Sequence, residues 1–115
     1  MDATEPTDFN SSLGMRPGAD GTSIELETRP EHQVVPGLIH FAVLATLAEV
    51  SAAHAVGAAV VPASLHLNLM SRAEPGTLRG IGTVLKRGRR LSVAEGVVLQ
   101  GDRTVAKATV TFAMV

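Results

Sequence analysis

The chain has no cysteine, no tryptophan and no tyrosine, and only three phenylalanines among its 115 residues. Without thiols there is neither a disulfide framework nor a thiolate metal site. That usage suits a reducing compartment, and the expected location is cytoplasmic. With so few rings, no aromatic platform is available for stacking single-stranded nucleic acid. The core must be filled by Val, Leu, Ile, Ala and Met, which pack as thin, closely spaced layers. Net charge is scarce too. Ten Lys and Arg against eleven Asp and Glu leave −1, so neither nucleic acid nor an anionic membrane is an expected partner. The start of the chain, MDATEPTDFNSS, is acidic and polar, unlike a secretory signal.

Charge is scarcest in one region. In the 40 residues from His32 to Ser71, Glu49 is the only Asp, Glu, Lys or Arg. It sits inside HFAVLATLAEVSAAHA, residues 40–55. A carboxylate at its middle, with Thr46, Ser51 and His54 nearby, makes membrane insertion costly, so this stretch is expected to be a buried helix. A lone acid in such surroundings is expensive unless it is paired, protonated or used.

Around that helix the pattern is strand-like. Residues 1–12 are expected to form a flexible tail and 13–115 a single domain. Residues 13–21 suit a short edge strand ending in a turn. In residues 22–29, Ile24 and Leu26 alternate with Ser23, Glu25 and Glu27. Two prolines and a glycine make 30–37 a loop. The helix runs from about Ile39 to Val56, with Gly57 as its stop. Four further strands follow, over 60–70, 77–86, 91–100 and 104–115, separated by turn residues. In the first of them Ala63, Leu65, Leu67 and Leu69 share one face; Ser64, His66, Asn68 and Met70 share the other. The alanines of the helix let another backbone approach, so it is expected to lie tightly on a sheet. The fold class is α+β, an antiparallel sheet with one central helix on its concave face.

Gly37, His40 and Glu49, nine residues after the histidine, together with VLATLAE over 43–49 and the three-strand run 76–112, resemble the hotdog-fold, PaaI-like acyl-CoA thioesterases related to 4-hydroxybenzoyl-CoA thioesterase. The resemblance spans about residues 13–113. It implies an antiparallel sheet wrapped around one long helix, thioester hydrolysis, no cofactor apart from the coenzyme A of the substrate, and a homodimer or homotetramer. The sequence departs from the family pattern in three places. Phe41 and Ala42 replace two glycines after the histidine. Gln33 lies seven residues before His40 rather than six. Ala52 and Ala53 stand where a hydroxyl often follows the acid.

The resemblance gives the residues roles. A helix start offers unpaired N–H groups and a partial positive charge, so the amides of Phe41 and Ala42 are the expected oxyanion hole. Glu49 is the expected base for water, or the nucleophile forming a mixed anhydride. Roughly 14 Å of helical rise separates it from the first amides, too far for both to meet one carbonyl within one subunit. The resemblance therefore implies an active site shared across a dimer. His40 is expected to orient the helix start and Gln33 to hold the thioester carbonyl or the water. Lys86, Arg87, Gly88, Arg89 and Arg90, with Arg72 from a neighbouring turn, are the expected clamp for the phosphates of coenzyme A. His66 and Asn68 could line the site with polar groups. His40, His54 and His66 have no metal-ligand spacing, so no metal is assigned. Two alternatives use the same fold. One is an acyl-CoA-binding or sensor protein without turnover. The other is a dehydratase, suggested by VVPG at 34–37, although Ala42 stands where such an enzyme would place its Glu.

Overall fold

The computed structural model describes residues 8–115. Six strands form one antiparallel sheet: β1 (Met15–Pro17), β2 (Ile24–Glu27), β5 (Val60–Leu69), β6 (Thr77–Lys86), β7 (Leu91–Gln100) and β8 (Arg103–Met114). Their spatial order is β1-β2-β6-β7-β8-β5. The loop expected at 30–37 holds a 3-10 turn, Pro30–His32. It leads into a two-stranded hairpin of β3 (Gln33–Val35) and β4 (Leu38–Ile39). Of the expected tail, residues 1–7 lie outside the described residues. Phe9–Ser12 close one helical turn, α1, because the Asp8 carboxylate caps it by accepting the Ser11 N–H at 3.3 Å.

The long helix, α2 (Phe41–Val56), starts where His40 supplies a cap and stops at Gly57, whose φ of 72° is left-handed. It lies across β6, β7 and β8 and buries Val43, Leu44, Leu47, Ala48 and Ala52 against Leu78, Ala94, Val98, Val110 and Phe112. The close approach expected from its alanines is matched by glycines in the sheet. A Cβ on Gly82 would lie 2.0 Å from the carbonyl oxygen of Ser51, and one on Gly96 would lie 1.9 Å from that of Ala48. The result is the hotdog arrangement, a sheet wrapped around one helix.

The strand register settles which side chains face the helix. Leu65 pairs with buried Val110, Leu67 with Ala108 and Leu69 with Ala106, so these leucines face inward, in the phase expected. A bulge between Pro62 and Ser64 leaves Ala63 without a partner on β8. Ser64, His66 and Asn68 pair with Thr111, Thr109 and Lys107 on the outer face. His66 and Asn68 therefore turn away from the helix and do not line its site. As the edge strand, β5 leaves one side of its backbone unpaired, and Val61, Leu65, Leu69 and Met70 are exposed along it.

Candidate active site

The helix start is built from the chain that precedes it. Ile39 donates its N–H to the carbonyl of Ala73 at 3.0 Å, and His40 donates to that of His32 at 2.8 Å. These two bonds fix where α2 begins. His40 then caps the helix: its Nδ1 accepts the N–H of Ala42 at 3.0 Å, and its ring stacks on Phe41 at 4.9 Å. Accepting at Nδ1 places the proton of the neutral ring on Nε2. The expected pair of free amides is therefore divided. Ala42 already donates to His40, whereas the Phe41 N–H has no partner among the described residues.

A cavity of about 440 Å³ opens at this helix start, lined by Leu38, His40, Phe41, Leu44, Met70 and Arg72 among others. Its walls are largely apolar, and His40, Ser71 and Arg72 supply its polar side chains. On the other side of His40, a second cavity of about 220 Å³ is lined by His32, Gln33, Ala42 and Val43. The Gln33 side chain is turned back on its own hairpin, where Oε1 accepts the N–H of Gly37 at 2.7 Å.

Glu49 lies further along α2, on the side facing β5. It borders a third cavity of about 340 Å³ with Ala45, Thr46, Ser64 and Leu65. The carboxylate is half-buried, and burial pushes its pKa above the usual 4.5. Among the described residues it has no ion pair and no hydrogen bond. Glu49 and the helix start thus open into separate cavities of the one chain, as the rise along the helix requires.

The basic turn is divided as well. Arg87 donates from its guanidinium to the carbonyl of Val56 at 2.8 Å, closing the C-terminal end of α2. Gly88 donates its N–H to Ser92 Oγ at 3.2 Å. Lys86, Arg89 and Arg90 are exposed, and among the described residues their side chains make no hydrogen bond or ion pair. Arg72 does not join them. It stands at the helix start, and the turn stands at the helix end, about 24 Å away by rise along sixteen residues.

Two residues beside the site were missed in the sequence. Thr46, one helical turn before Glu49, shares its cavity and donates its hydroxyl to the carbonyl of Ala42 at 2.8 Å. Its i−3 spacing from Glu49 was the available signal. His32, nearly fully buried, had none, because its importance comes from contacts with Arg29 and His40. Among the described residues no three metal-ligating side chains come together, and no helix is long and apolar enough to cross a membrane.

Known proteins resemble this chain in both sequence and fold. A protein from Mycobacterium tuberculosis, Rv0499, itself uncharacterised, is 34% identical over 86 residues. That match covers 70% of this chain, which spans only 30% of the relative's length. The conserved protein PA5202 of Pseudomonas aeruginosa is 27% identical and superposes with a TM-score of 0.82 over 96% of this chain and 95% of its own. The E. coli PaaI protein, from the phenylacetic acid degradation operon, has the same fold at 18% identity (TM-score 0.82, over 91% of this chain and 82% of its own). So does the BH2602 protein of Bacillus halodurans, solved with CoA, at 21% identity (TM-score 0.80, over 90% and 72%). The family described as the acyl-CoA thioesterase N-terminal domain matches residues 34–113, from the hairpin before the helix to the last strand, and the chain belongs to that family.

Proposed function

We propose that this chain hydrolyses an acyl-CoA thioester, with Glu49 as the base or nucleophile and the start of α2 as the oxyanion site. The observation that carries the reading is Glu49 itself. It is the only charged side chain on α2, half-buried, raised in pKa by burial and without a partner among the described residues, at the wall of a cavity. An acid kept for structure would be held by donors; this one is left free to meet water or a carbonyl carbon.

Catalysis then requires a second copy. The exposed apolar edge of β5 supports one, since an unpaired strand of this length invites another strand. In an antiparallel pair, directly opposed side chains share a face, so a two-fold axis must lie midway between a residue of β5 and its own copy. Placed between Leu67 and its copy, it sets Leu65 against Leu69 of the partner subunit and Ser64 against Met70 of the partner subunit. Ser64 and Leu65 border the cavity of Glu49, and Leu69 and Met70 border the cavity at the helix start. The dimer thus joins the two halves of the site that one chain keeps apart. A tetramer would repeat this unit.

In the joined site the thioester carbonyl oxygen lies against the Phe41 N–H and the Nε2–H of His40. Such donors stabilise the oxyanion, each worth on the order of 10²–10³ in rate. Ala42 holds His40 in that tautomer. Ionised Glu49 of the other subunit takes the proton from the attacking water, or attacks the carbonyl directly to form a mixed anhydride that water then cleaves; in either route the C–S bond breaks and the thiolate of CoA departs. Gln33 acts through its hairpin, by shaping the approach to His40. Arg72 at the helix start, and Lys86, Arg89 and Arg90 from the partner's turn, hold the CoA phosphates, with Gly88 and Arg87 shaping the turn. The CoA bound to the B. halodurans protein of the same fold supports this carrier. No cofactor or metal is required, and a cytoplasmic location suits a thiol-free chain.

One observation favours a second reading, an acyl-CoA-binding protein without turnover: the Ala42 amide is already engaged and Phe41 adds bulk over the hole. Thiol release from a panel of acyl-CoAs separates the two. Hydrolysis predicts release that falls at least ~100-fold in Glu49→Gln. Binding of CoA esters with no release above that variant would leave the sensor.

A further inference from the structure

We infer that His32 is a positioning residue for the active site, acting through His40, and that it does so only as a neutral imidazole. This rests on the active-site reading above. His32 lies in the 3-10 turn before β3 and is 3% exposed. Its Nδ1 accepts the backbone N–H of Arg29 at 3.0 Å, closing the turn. Its carbonyl accepts the N–H of His40 at 2.8 Å, so the residue that caps α2 hangs from the residue whose ring closes the turn. Both histidines border the cavity of about 220 Å³ on the far side of His40 from the apolar one.

Protonation would undo this arrangement. Nδ1 would become a donor facing the Arg29 N–H. The ring would also carry a positive charge beside the Arg29 guanidinium, whose Nη2 lies 3.3 Å from Nε2. Nε2–H meets only that donor in the neutral ring as in the charged one, so what protonation adds is the lost Nδ1 acceptor and the like charge. The other groups around the ring do not compensate. Glu31 pairs with Arg29 at 3.4 Å, Arg29 also donates to the carbonyl of Ser12 in α1, and Phe9, Leu13 and Val43 are apolar. Gln33 is committed to Gly37, and His40 can offer His32 only its Nε2–H. Burial and the Arg29 charge accordingly lower the His32 pKa below the usual 6.5. As pH falls through that lowered value the turn loses its closure, and His40 loses the geometry that aims its Nε2–H and frees the Phe41 amide.

The test uses His32→Asn and His32→Leu in the full chain. Asparagine keeps an acceptor near the place of Nδ1 and cannot titrate; leucine removes the acceptor. The first readout is the Ala42 amide signal against pH by NMR, which reports the His40 cap without any turnover. It is expected to show an inflection coinciding with titration of the His32 ring in the wild type, and to lack it in His32→Asn. In turnover, His32→Leu lowers kcat by about ten-fold or more with KM little changed, as a misaimed donor does, and His32→Asn restores most of that loss. Below pH 6.5 the wild-type kcat/KM falls with the combined slope of two groups, and His32→Asn falls with the slope of one. An Ala42 profile identical in wild type and His32→Asn would overturn the inference, as would equal losses in the two variants. Absence of thiol release from every acyl-CoA in the wild type would defeat the hydrolase reading alone, and the amide comparison would still decide the role of His32.

Discussion

Replacing Gly96 by alanine tests whether the helix is held where its acid can function. The added Cβ would lie 1.9 Å from the carbonyl oxygen of Ala48 and 2.7 Å from its carbon. Carbon and oxygen need about 3.3 Å, so helix and sheet must part by more than an ångström. Both obstructing atoms are backbone, which cannot rotate away as a side chain can. Overpacking by one methyl costs typically ~1–3 kcal/mol, and the rigid obstruction places this case at the upper end, about 3 kcal/mol. For a chain this long each kcal/mol moves Tm by roughly 4 °C, so thermal unfolding followed by circular dichroism should show a loss of about 12 °C. Gly82→Ala, which meets the Ser51 carbonyl at 2.0 Å, should behave alike. At Gly80 the nearest obstruction is the Ser51 hydroxyl at 2.1 Å, which can rotate, so Gly80→Ala should cost clearly less. Because Ala48 adjoins Glu49, the displaced helix also moves the acid, and thiol release should fall with stability. A Gly96→Ala protein melting within about 2 °C of wild type would refute the close helix–sheet approach on which the placement of Glu49 depends.

Glu49→Gln should be as stable as wild type or more so at neutral pH, despite its loss of turnover. The raised carboxyl pKa means that the folded state favours the protonated acid, so stability is lost as pH rises through that value; lower stability of the Gln variant in urea at pH 7 would point to a structural acid instead. For the same reason the acid limb of wild-type kcat/KM should lie above the ordinary 4.5 of a Glu. Leu67→Glu places like charges together at the proposed two-fold axis, so sedimentation should show monomers and thiol release should fall to background; full activity in a monomer would remove the shared site. Arg89→Ala with Arg90→Ala should raise KM for acyl-CoA with little change in kcat, and added salt should mimic it in wild type; an unchanged KM would return that turn to plain solvation.

Much of the fold was legible in the sequence because its signals are local. Alternation of Ile24 and Leu26 with Glu25 and Glu27, the Ala-rich run closed by Gly57, and turn residues between the later strands each follow from backbone preferences a few residues long. Glu49 also stood out locally, as one acid in forty residues, and the structure leaves it half-buried and without a partner among the described residues. What could not be read there depends on which atoms meet across the fold. Arg87 looks like its neighbours in the turn until the end of α2 arrives beside it. Arg72 seemed close to that turn, but the helix holds the two at opposite ends. Ala42 seemed to offer a free amide, but His40 folds back to accept it. His32 carried no signal at all. The sequence by itself determined that one apolar helix with a single acid lies against an antiparallel sheet, because burial and periodicity act on neighbouring residues. Only the tertiary structure decided which donors remain free and which cavities the acid and the helix start open into, because hydrogen-bond partners are assigned by distance in space.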